Sequence, residues 1–337
     1  MRTGAGTAPK VVSEWASADW WGAFKARWGV GRMHYKVDPG LYALNEPDAS
    51  SPVLVTANYK LTFDRLRKAL PSLDAWLLVL DTDGINVWCA AGKGAFCEEE
   101  IAVRIEASSL ASVVNHRDLI LPQLAGPGTA AYTLKKKTGF KAHYGPIRAE
   151  DIKAFLDAGM KATPEMRRKT FGLRERAVLI PVELVDAVKY GAMAAAVMFF
   201  LGGLGGPGSY WANALEFGLF AVWAILGAVA AGAVLTPLLL PWLPGRAFST
   251  KGMIVGLAAA VLLVVLRRHL AAAVPVLELG GWLLMVPALA SFLGMNFTGA
   301  STYTSLSGVQ KEMRWALPLQ IGAAAVGLSL WIGSRFM

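Results

Sequence analysis

Residues that bind metals or form disulfides are scarce in this chain. It has two cysteines, Cys89 and Cys97, and four histidines in 337 residues. Two cysteines exclude a disulfide framework and also a four-cysteine cluster held by this chain alone. The histidines are scattered, without the spacing of a zinc site, at His34, His116, His143 and His269. Neither a disulfide-stabilised protein nor a structural zinc protein is indicated.

Charge is scarce in the second half of the chain. Of 33 basic and 24 acidic residues, only ten lie between residues 191 and 337. Five apolar runs, at about 187–204, 212–235, 252–268, 276–295 and 316–333, have the composition of membrane-spanning helices. Residues 1–30 contain no continuous apolar core of the kind that a signal peptide has. We therefore expect a soluble domain followed by an all-α membrane domain of about five transmembrane helices.

Basic residues crowd the segment that leads into the first apolar run, at Lys161, Arg167, Arg168, Lys169, Arg174, Arg176 and Lys189. Such a flank is typical of the cytoplasmic side. It accounts for the net charge of +9 better than a nucleic-acid surface, because no motif of interleaved basic and aromatic residues is present. We expect a multi-pass protein of the cell inner membrane with its soluble domain in the cytoplasm. Arg267 and Arg268 then lie on the opposite side of the membrane, against the rule that basic residues favour the cytoplasmic side. Glu216 and Glu278 lie near span ends, where they are either functional or interfacial.

Composition divides the chain into an N-terminal arm at 1–40, an α/β domain at 41–160, a basic connector at 161–186 and the membrane domain at 187–337. The arm has Trp15, Trp20, Trp21, Phe24 and Trp28, which predict a packing helix or lid, or else contact with the bilayer surface. In the α/β domain we expect strands at Pro52–Ala57, Ala75–Leu80, Asp118–Leu121 and Phe140–His143, and helices at Leu61–Leu70, Glu98–Leu110, Thr129–Lys137 and Ala149–Ala158. This alternation predicts a Rossmann-like parallel sheet, which binds its ligand at the carboxyl ends of the strands.

The stretch Asn86-Val87-Trp88-Cys89-Ala90-Ala91-Gly92-Lys93 follows the second of these strands. Asn86 is a good N-cap, so a short helix is expected to begin at Val87 and to place Cys89 in its first turn. The free N–H groups and dipole of a helix start favour a thiolate there. Gly92 would let a flat ligand approach the backbone. The alternative is a buried structural cysteine, the usual state of a free cysteine.

The loops after the four strands are expected to meet beside this helix. They are Thr56-Ala57-Asn58, Asp81–Asn86, Leu121-Pro122-Gln123-Leu124 and His143-Tyr144-Gly145-Pro146. Small, amide, hydroxyl and proline residues of this kind suit a flat ligand fringed with amides, although each loop taken singly also reads as an ordinary turn.

The stretch from Asn86 to Lys93 resembles the cap-helix motif of the corrinoid proteins of mercury methylation. The run Asn296–Val309, with its Asn-Phe-Thr-Gly and Ser-Gly-Val, is similar to a hydroxyl-rich loop of the same group, and we expect it to dock against the corrinoid domain. The resemblance implies a corrinoid with Cys89 as lower axial ligand to cobalt, because the Asp-x-His-x-x-Gly motif of histidine-ligated corrinoid proteins is missing. The other cofactor contacts that it implies on this helix are Asn86, Val87, Trp88, Ala90, Ala91, Gly92 and Lys93. The rule that ligands bind at strand ends adds Thr56, Asn58, Asp81, Pro122, Gln123, Leu124, Tyr144, Gly145 and Pro146.

The function that the resemblance implies is transfer of a cobalt-bound methyl group to Hg(II), giving methylmercury. A thiolate is a soft, strong donor to cobalt and would favour release of the methyl group with its electrons. Two partners are implied, a ferredoxin-like iron–sulfur protein as electron donor and a folate-linked methyltransferase as methyl donor. Lys135-Lys136-Lys137 is either a solvated face or a docking site for the ferredoxin, and Cys97 is either a buried cysteine or a relay for Hg(II).

Two other functions remain open at this point. One is a membrane-anchored corrinoid methyl carrier of acetyl-CoA-pathway type, against which stand the missing four-cysteine cluster and the membrane half. The other is a transporter with a cytoplasmic regulatory domain, although the apolar runs show little charge and no obvious inverted repeat.

Overall fold

A computed structural model describes residues 1–4, 6–271, 274–300 and 306–337. The chain divides into two compact units, Met1–Thr170 and Phe171–Met337. The division falls inside the segment 161–186, which the sequence indicates as a connector.

The first unit is built from short strands and helices in alternation. Its strands are β1 (Arg2–Thr3), β2 (Gly6–Thr7), β3 (Lys10–Val11), β4 (Gly40–Leu44), β5 (Val53–Ala57), β6 (Ala75–Leu80), β7 (Asp118–Leu121) and β8 (Lys141–Tyr144). Its helices are α1 (Ser17–Arg27), α2 (Lys60–Lys68), α3 (Val87–Lys93), α4 (Glu98–Ala107), α5 (Leu110–Val113), α6 (Ala131–Thr138) and α7 (Ile152–Asp157). Short 3₁₀ turns occur at Arg32–His34, Gln123–Ala125 and Ala149–Asp151.

Six strands form one sheet in the order β3-β4-β6-β5-β7-β8. The four strands from β6 to β8 are parallel, as the sequence predicts. The expectation of a wholly parallel sheet is wrong on one side, because β4 runs antiparallel to β6, with Gly40 opposite Val79 and Leu44 opposite Ala75, and the edge strand β3 runs parallel to β4. Antiparallel strands at one side of a mainly parallel sheet are common, and no local pattern in the sequence distinguishes them.

The central strands β5 and β6 are buried at every position because helices cover both faces of the sheet. Alternate residues of β6 enter different cores. Trp76, Leu78 and Leu80 pack on one face with residues of α3, α4 and α6, whereas Leu77 and Val79 pack on the other with α2 and α7. The helix that carries the cysteine is therefore fixed by the main core of the domain.

Two helix boundaries differ from the sequence prediction. A single helix from Glu98 to Leu110 is wrong: α4 ends at Ala107 and α5 begins at Leu110, because Ser109 has a left-handed backbone with φ of 47°. The segment from Ala149 to Ala158 is a 3₁₀ turn followed by α7. The remaining predicted strands and helices are present, with ends shifted by at most two residues.

Among the described residues of the second unit, five helical segments are long and apolar enough to cross a membrane, as expected: Leu173–Leu201, Tyr210–Leu239, Phe248–Leu270, Val276–Gly299 and Ser307–Gly333. Their helices are α8 (Leu173–Ala177), α9 (Ile180–Leu201), α10 (Tyr210–Asn213), α11 (Leu219–Val229), α12 (Thr236–Leu239), α13 (Phe248–Leu270), α14 (Val276–Asn296) and α15 (Leu306–Gly333). Two π-helical stretches, Ala214–Gly218 and Ala230–Leu235, join the pieces of the second segment.

The first helical segment begins at Leu173, before the apolar run that the sequence places at about 187–204. The second half of the expected connector, 161–186, is therefore largely helical. Charged side chains such as Arg174 and Glu175 occupy its first turns and hide the helix from a hydropathy pattern. In the hydroxyl-rich run Asn296–Val309, residues 301–305 lie outside the described part of the chain. Phe297–Ala300 forms a 3₁₀ turn before them, and docking of this run stays a prediction.

The N-terminal arm is fixed to α2 by a buried network of charges. Arg67 donates to the carbonyl oxygens of Val12 and Glu14, both at 2.7 Å, and to the carboxylates of Asp19 at 2.6 Å and Asp64 at 2.9 Å. Lys60 also bonds Asp64, at 2.6 Å. Burial alone would raise the pKa of Asp19, but hydrogen bonds from Lys60 and Arg67 outweigh it and lower that pKa. Arg67 therefore holds the backbone that leads into α1, and Lys60, which bonds Asp19 at 2.7 Å, contributes a second link to α1.

Replacing this arginine should release the arm. In Arg67→Met the buried carboxylate of Asp64 keeps only Lys60, and we expect a loss of about 3 kcal/mol, the lower end for breaking a buried pair. Hydrogen exchange of the α1 amides in the full chain measures this loss. The matched control is Arg65→Met, which changes an exposed arginine of the same helix. Equal protection of α1 in both variants would contradict the role given to Arg67.

Candidate functional site

The helix α3 begins at Val87, where the sequence predicts, and ends at Lys93. Asn86 has an extended backbone, and its side-chain oxygen accepts a hydrogen bond from the Cys89 N–H at 2.9 Å. Gly94 closes the helix with a left-handed φ of 78°, a conformation that favours glycine. The cap places Cys89 in the first turn, with its backbone N–H already satisfied.

One side of α3 is buried and the other is open. Val87, Ala90 and Ala91 pack into the core of the domain. Gly92 and Lys93 are exposed, and Cys89 and Trp88 are partly exposed. Cys89, Gly92 and Lys93 are three and four residues apart, so they share one face of the helix. A Cβ atom added at Gly92 would meet no atom within 4 Å, so the helix surface beside Cys89 is bare at this position.

The loop that leads into α3 is held by Asn58, a fully buried residue at the end of β5. Its side-chain oxygen accepts hydrogen bonds from Thr82 N at 3.2 Å, Thr82 Oγ1 at 2.9 Å and Gly84 N at 3.0 Å. Its amide nitrogen donates to Asp81 Oδ1 at 3.0 Å. The ends of two neighbouring parallel strands are thus joined through one carboxamide, which fixes the approach to Asn86.

A recess of about 80 Å³ lies beside the cysteine. Its lining residues are Arg32, Met33, Tyr59, Gly84, Ile85, Asn86 and Cys89. Of these, the sequence indicates only the members of the run from Gly84 to Cys89. Tyr59 directly follows Asn58 at a strand end and could have been found from that position. Arg32 and Met33 carry no local signal, because tertiary folding alone brings the arm to this edge of the sheet.

The wall formed by the arm is basic. The guanidinium of Arg32 lies 5.5 Å from the centre of the Tyr59 ring. Burial, followed by repulsion from Arg65 and Arg32, lowers the pKa of Arg27 to about 10. Burial raises the pKa of Tyr59 although the nearby arginines oppose this shift. The Tyr59 hydroxyl is buried and has no hydrogen-bond partner within the described protein. This side of the recess therefore favours a ligand with negative or hydrogen-bond-accepting groups.

The loop after β7 also reaches α3. Residues Gln123–Ala125 form a 3₁₀ turn that packs against the helix, preceded by Pro122 and including Leu124. The side-chain oxygen of Gln123 is buried without a hydrogen-bond partner in the described protein. A side chain at Gly128 would lie 2.7 Å from the Ala91 carbonyl oxygen, so this loop backs directly onto the helix.

The other predicted residues have structural roles or lie farther along the sheet. Thr56 is buried within β5. Tyr144 donates a hydrogen bond to the carbonyl oxygen of Thr129, Gly145 N donates to Leu121 O at 2.8 Å, and Pro146 is buried. The structure thus joins the loops after β5, β6 and β7 to α3. The loop after β8 packs against its neighbour after β7, since Tyr144 lies 4.0 Å from where a Gly126 side chain would begin.

Other residues that the sequence singled out lie apart from the recess. Cys97 occupies the N-cap position of α4 and is partly exposed. His143 bonds Asp118 at 2.7 Å between β8 and β7. Lys137 pairs with Glu99, whereas Lys135 and Lys136 are exposed. Within the described ranges no group of three or more histidine, cysteine or acidic side chains could hold a metal ion.

Comparison with known proteins places the similarity in this first unit. Residues 30–156 match the family model of the CO dehydrogenase/acetyl-CoA synthase delta subunit. The gamma subunit of the acetyl-CoA decarbonylase/synthase complex of Archaeoglobus fulgidus is 35% identical over 128 residues, and that of Methanopyrus kandleri is 35% identical over 128 residues. Each alignment covers 37% of this chain and 27% of the relative. The chain thus spans about a quarter of the length of these relatives, and the residues matched by the family model include those that line the recess.

Removing the Asn58 side chain should loosen the loop that positions α3. In Asn58→Ala the backbone N–H groups of Thr82 and Gly84 lose their acceptor, at about 1–3 kcal/mol for each buried unsatisfied group, whereas the Thr82 hydroxyl can still donate to the Ile85 carbonyl oxygen at 2.8 Å. We expect amide exchange across residues 81–86 to accelerate by at least about 100-fold, as measured by mass spectrometry on the full chain. Asn115→Ala, at an exposed asparagine, is the control. Unchanged exchange in Asn58→Ala would show that the loop is held by other contacts.

Proposed function

We propose that this chain is a membrane-anchored, corrinoid-dependent methyltransferase that methylates Hg(II), with the Cys89 thiolate as the lower axial ligand to cobalt. The observation that carries the proposal is the exposure of Cys89 on a capped helix whose neighbouring surface, at Gly92, is bare. The similarity of residues 30–156 to subunits of the acetyl-CoA decarbonylase/synthase complex supports corrinoid-dependent methyl transfer as the chemistry.

The residues present fit a flat cofactor with amide side chains. Gly92 leaves room for a ring to approach the helix backbone. Gln123 and Tyr59 each direct a buried polar atom, without a partner in the described protein, to the surroundings of α3. The recess of about 80 Å³ is too small to enclose a macrocycle, so the open face of α3 beside it must supply most of the contact.

The protein's own residues divide into those that touch the cofactor and those that hold them in place. Cys89 supplies a soft sulfur donor, and Trp88, Gly92, Lys93 and Gln123 provide the exposed surface around it. When bound, the corrinoid would carry the methyl group on cobalt, and a thiolate ligand would favour departure of that group with the electrons that Hg(II) accepts.

The positioning residues act through α3. Asn86 caps the helix and sets its first turn, while Asn58 and Asp81 fix the loop before it. Val87, Ala90, Ala91 and Thr56 are buried, so they support the site by packing and present no surface to a ligand. These residues were expected from the sequence to contact the cofactor, and we propose instead that they orient the Cys89 sulfur.

The rest of the reaction depends on other proteins. The two cysteines of the chain cannot hold an iron–sulfur cluster, so a ferredoxin-like protein is proposed to supply electrons, with Lys135 and Lys136 as an exposed basic face for docking. A folate-linked methyltransferase is proposed as the source of the methyl group. The five apolar helical segments support membrane association. An inner-membrane location with the first unit in the cytoplasm is proposed from the basic residues that precede the first span.

The alternative is a membrane-anchored corrinoid methyl carrier of acetyl-CoA-pathway type. The similarity to acetyl-CoA decarbonylase/synthase subunits favours it as directly as it favours the first proposal. The two functions share the cofactor and differ in the methyl acceptor, so an assay with Hg(II) as the only acceptor distinguishes them.

Substituting the cysteine tests the proposed ligand. The full chain, loaded with methylcobalamin, is compared with Cys89→Ala by optical spectroscopy and by methylmercury formation with a chemical reductant. We expect Cys89→Ala to lose the thiolate-dependent bands of the spectrum and to methylate Hg(II) at least about 100-fold more slowly. Removing even an outer-shell partner of a metal ligand lowers metal affinity or activity by about 10–100-fold. Cys97→Ala should keep both. An unchanged spectrum in Cys89→Ala would refute thiolate ligation.

Filling the bare surface at Gly92 tests where the cofactor lies. Gly92→Leu has space in the protein and should stabilise α3 by roughly 0.5–1 kcal/mol, since leucine favours helix more than glycine does. We expect the variant to bind cobalamin at least about tenfold more weakly, as measured by quenching of tryptophan fluorescence, because the added side chain occupies the contact surface. Glu106→Leu, exposed on α4, is the control. Equal affinity in the two variants would place the cofactor elsewhere.

A further inference from the structure

Three charged residues are buried together at one end of the second unit. Arg267 lies in the last turn of α13, Glu278 in the first turn of α14 and Arg335 just beyond the end of α15. Arg267 Nε lies 3.0 Å from Glu278 Oε1, and Arg335 Nη2 lies 3.2 Å from Glu278 Oε2. All three residues are at least 95% buried. Glu278 thus lies near the end of its span, as the sequence indicates, and its carboxylate is buried within the protein.

The buried charges do not balance. Two guanidinium groups face one buried carboxylate, so the second positive charge is balanced only by the half-exposed carboxylate of Glu216. The nearest further acid is Glu216, whose side chain is 51% exposed and whose Oε1 lies 3.7 Å from Arg267 Nη2, beyond hydrogen-bonding distance. An aromatic ring also contacts both arginines. The centre of the Phe217 ring lies 3.4 Å from the guanidinium carbon of Arg335 and 5.1 Å from that of Arg267.

Unpaired hydrogen-bond donors accompany this charge. Arg267 Nη2 and Arg335 Nε and Nη1 are buried without a hydrogen-bond partner in the described protein. The same holds for the indole nitrogens of Trp282 and Trp331, whose rings are 5.8 Å apart. Trp282 lies one helical turn after Glu278, and Trp331 lies one turn before Arg335. Every unpaired side-chain atom of this group is a donor, and donors left unpaired in apolar surroundings are costly.

We propose that this group, the arginine cluster (Arg267, Glu278, Arg335, Trp282 and Trp331), binds an oxyanion of the phosphate class. A phosphate offers several acceptor oxygens to two guanidinium forks and would neutralise the excess charge. The cluster lies within about one turn of the ends of three candidate spans, which is the level of lipid head groups. The phosphate comes either from a lipid head group or from free phosphate in solution. The site is independent of the corrinoid chemistry proposed for the first unit.

The full chain tests this site by thermal unfolding. The protein is purified in a maltoside detergent, freed of lipid, and titrated with sodium phosphate at constant ionic strength or with phosphatidylglycerol in mixed micelles. A ligand that binds only the folded state raises the melting temperature saturably. Stabilisation by the lipid alone assigns the site to a head group, and stabilisation by both probes assigns it to free phosphate as well. Stabilisation by neither would overturn the proposal.

Matched variants separate binding from simple packing. Arg335→Gln should abolish the stabilisation, whereas Arg268→Gln, at the exposed neighbour of Arg267, should keep it. If Arg335→Gln fails to fold, Trp331→Phe keeps the ring and removes one donor, and should bind about five- to tenfold more weakly. Glu278→Gln removes the competing negative charge and should bind at least about fivefold more tightly. Equal affinity in wild type, Trp331→Phe and Glu278→Gln would contradict an anion at this cluster.

Discussion

The carboxamide of Asn58 joins the carboxyl ends of β5 and β6, and the position of Cys89 depends on this joint. One side chain accepts from Thr82 and Gly84 and donates to Asp81, so the chain leaving β6 has a fixed course into Asn86. Asn86 then caps α3, and the core beneath Val87, Ala90 and Ala91 prevents the helix from rotating. A cysteine in a free loop would have neither constraint. Because the opposite side of α3 is buried in the core, the Cys89 sulfur lies on the open side of the helix.

The sequence alone could predict α3 because its signals are local. An N-cap asparagine, small residues and a closing glycine are recognised without knowledge of the partners of the helix. The same holds for β6, whose six apolar residues coincide with the observed strand. The basic wall of the recess could not be predicted, because Arg32 and Met33 reach it from the arm, more than 50 residues before Cys89 along the chain. The antiparallel strand β4 was missed for a similar reason, since its direction depends on how it pairs with β6, which no local sequence pattern encodes.

The sequence groups the candidate contact residues more reliably than it orients their side chains, for a physical reason. Residues at a strand end are grouped correctly by topology, which brings the loops after β5, β6 and β7 to α3. Topology does not say which side chains face outward. Asn58 and Thr56 lie at the correct end of the sheet but are buried, and the carboxamide of Asn58 stabilises the loop. In the second unit, hydropathy found all five spans but not the burial of Glu278, which depends on arginines 11 residues before it and 57 residues after it.

Cobalt X-ray absorption of the full chain loaded with a corrinoid tests the central claim most directly. If Cys89 ligates the metal, the spectrum must contain a sulfur atom in the first coordination shell, and that scatterer must disappear in Cys89→Ser while it persists in Cys97→Ser. A first shell of nitrogen and oxygen only, identical in the protein with and without Cys89, would contradict the account.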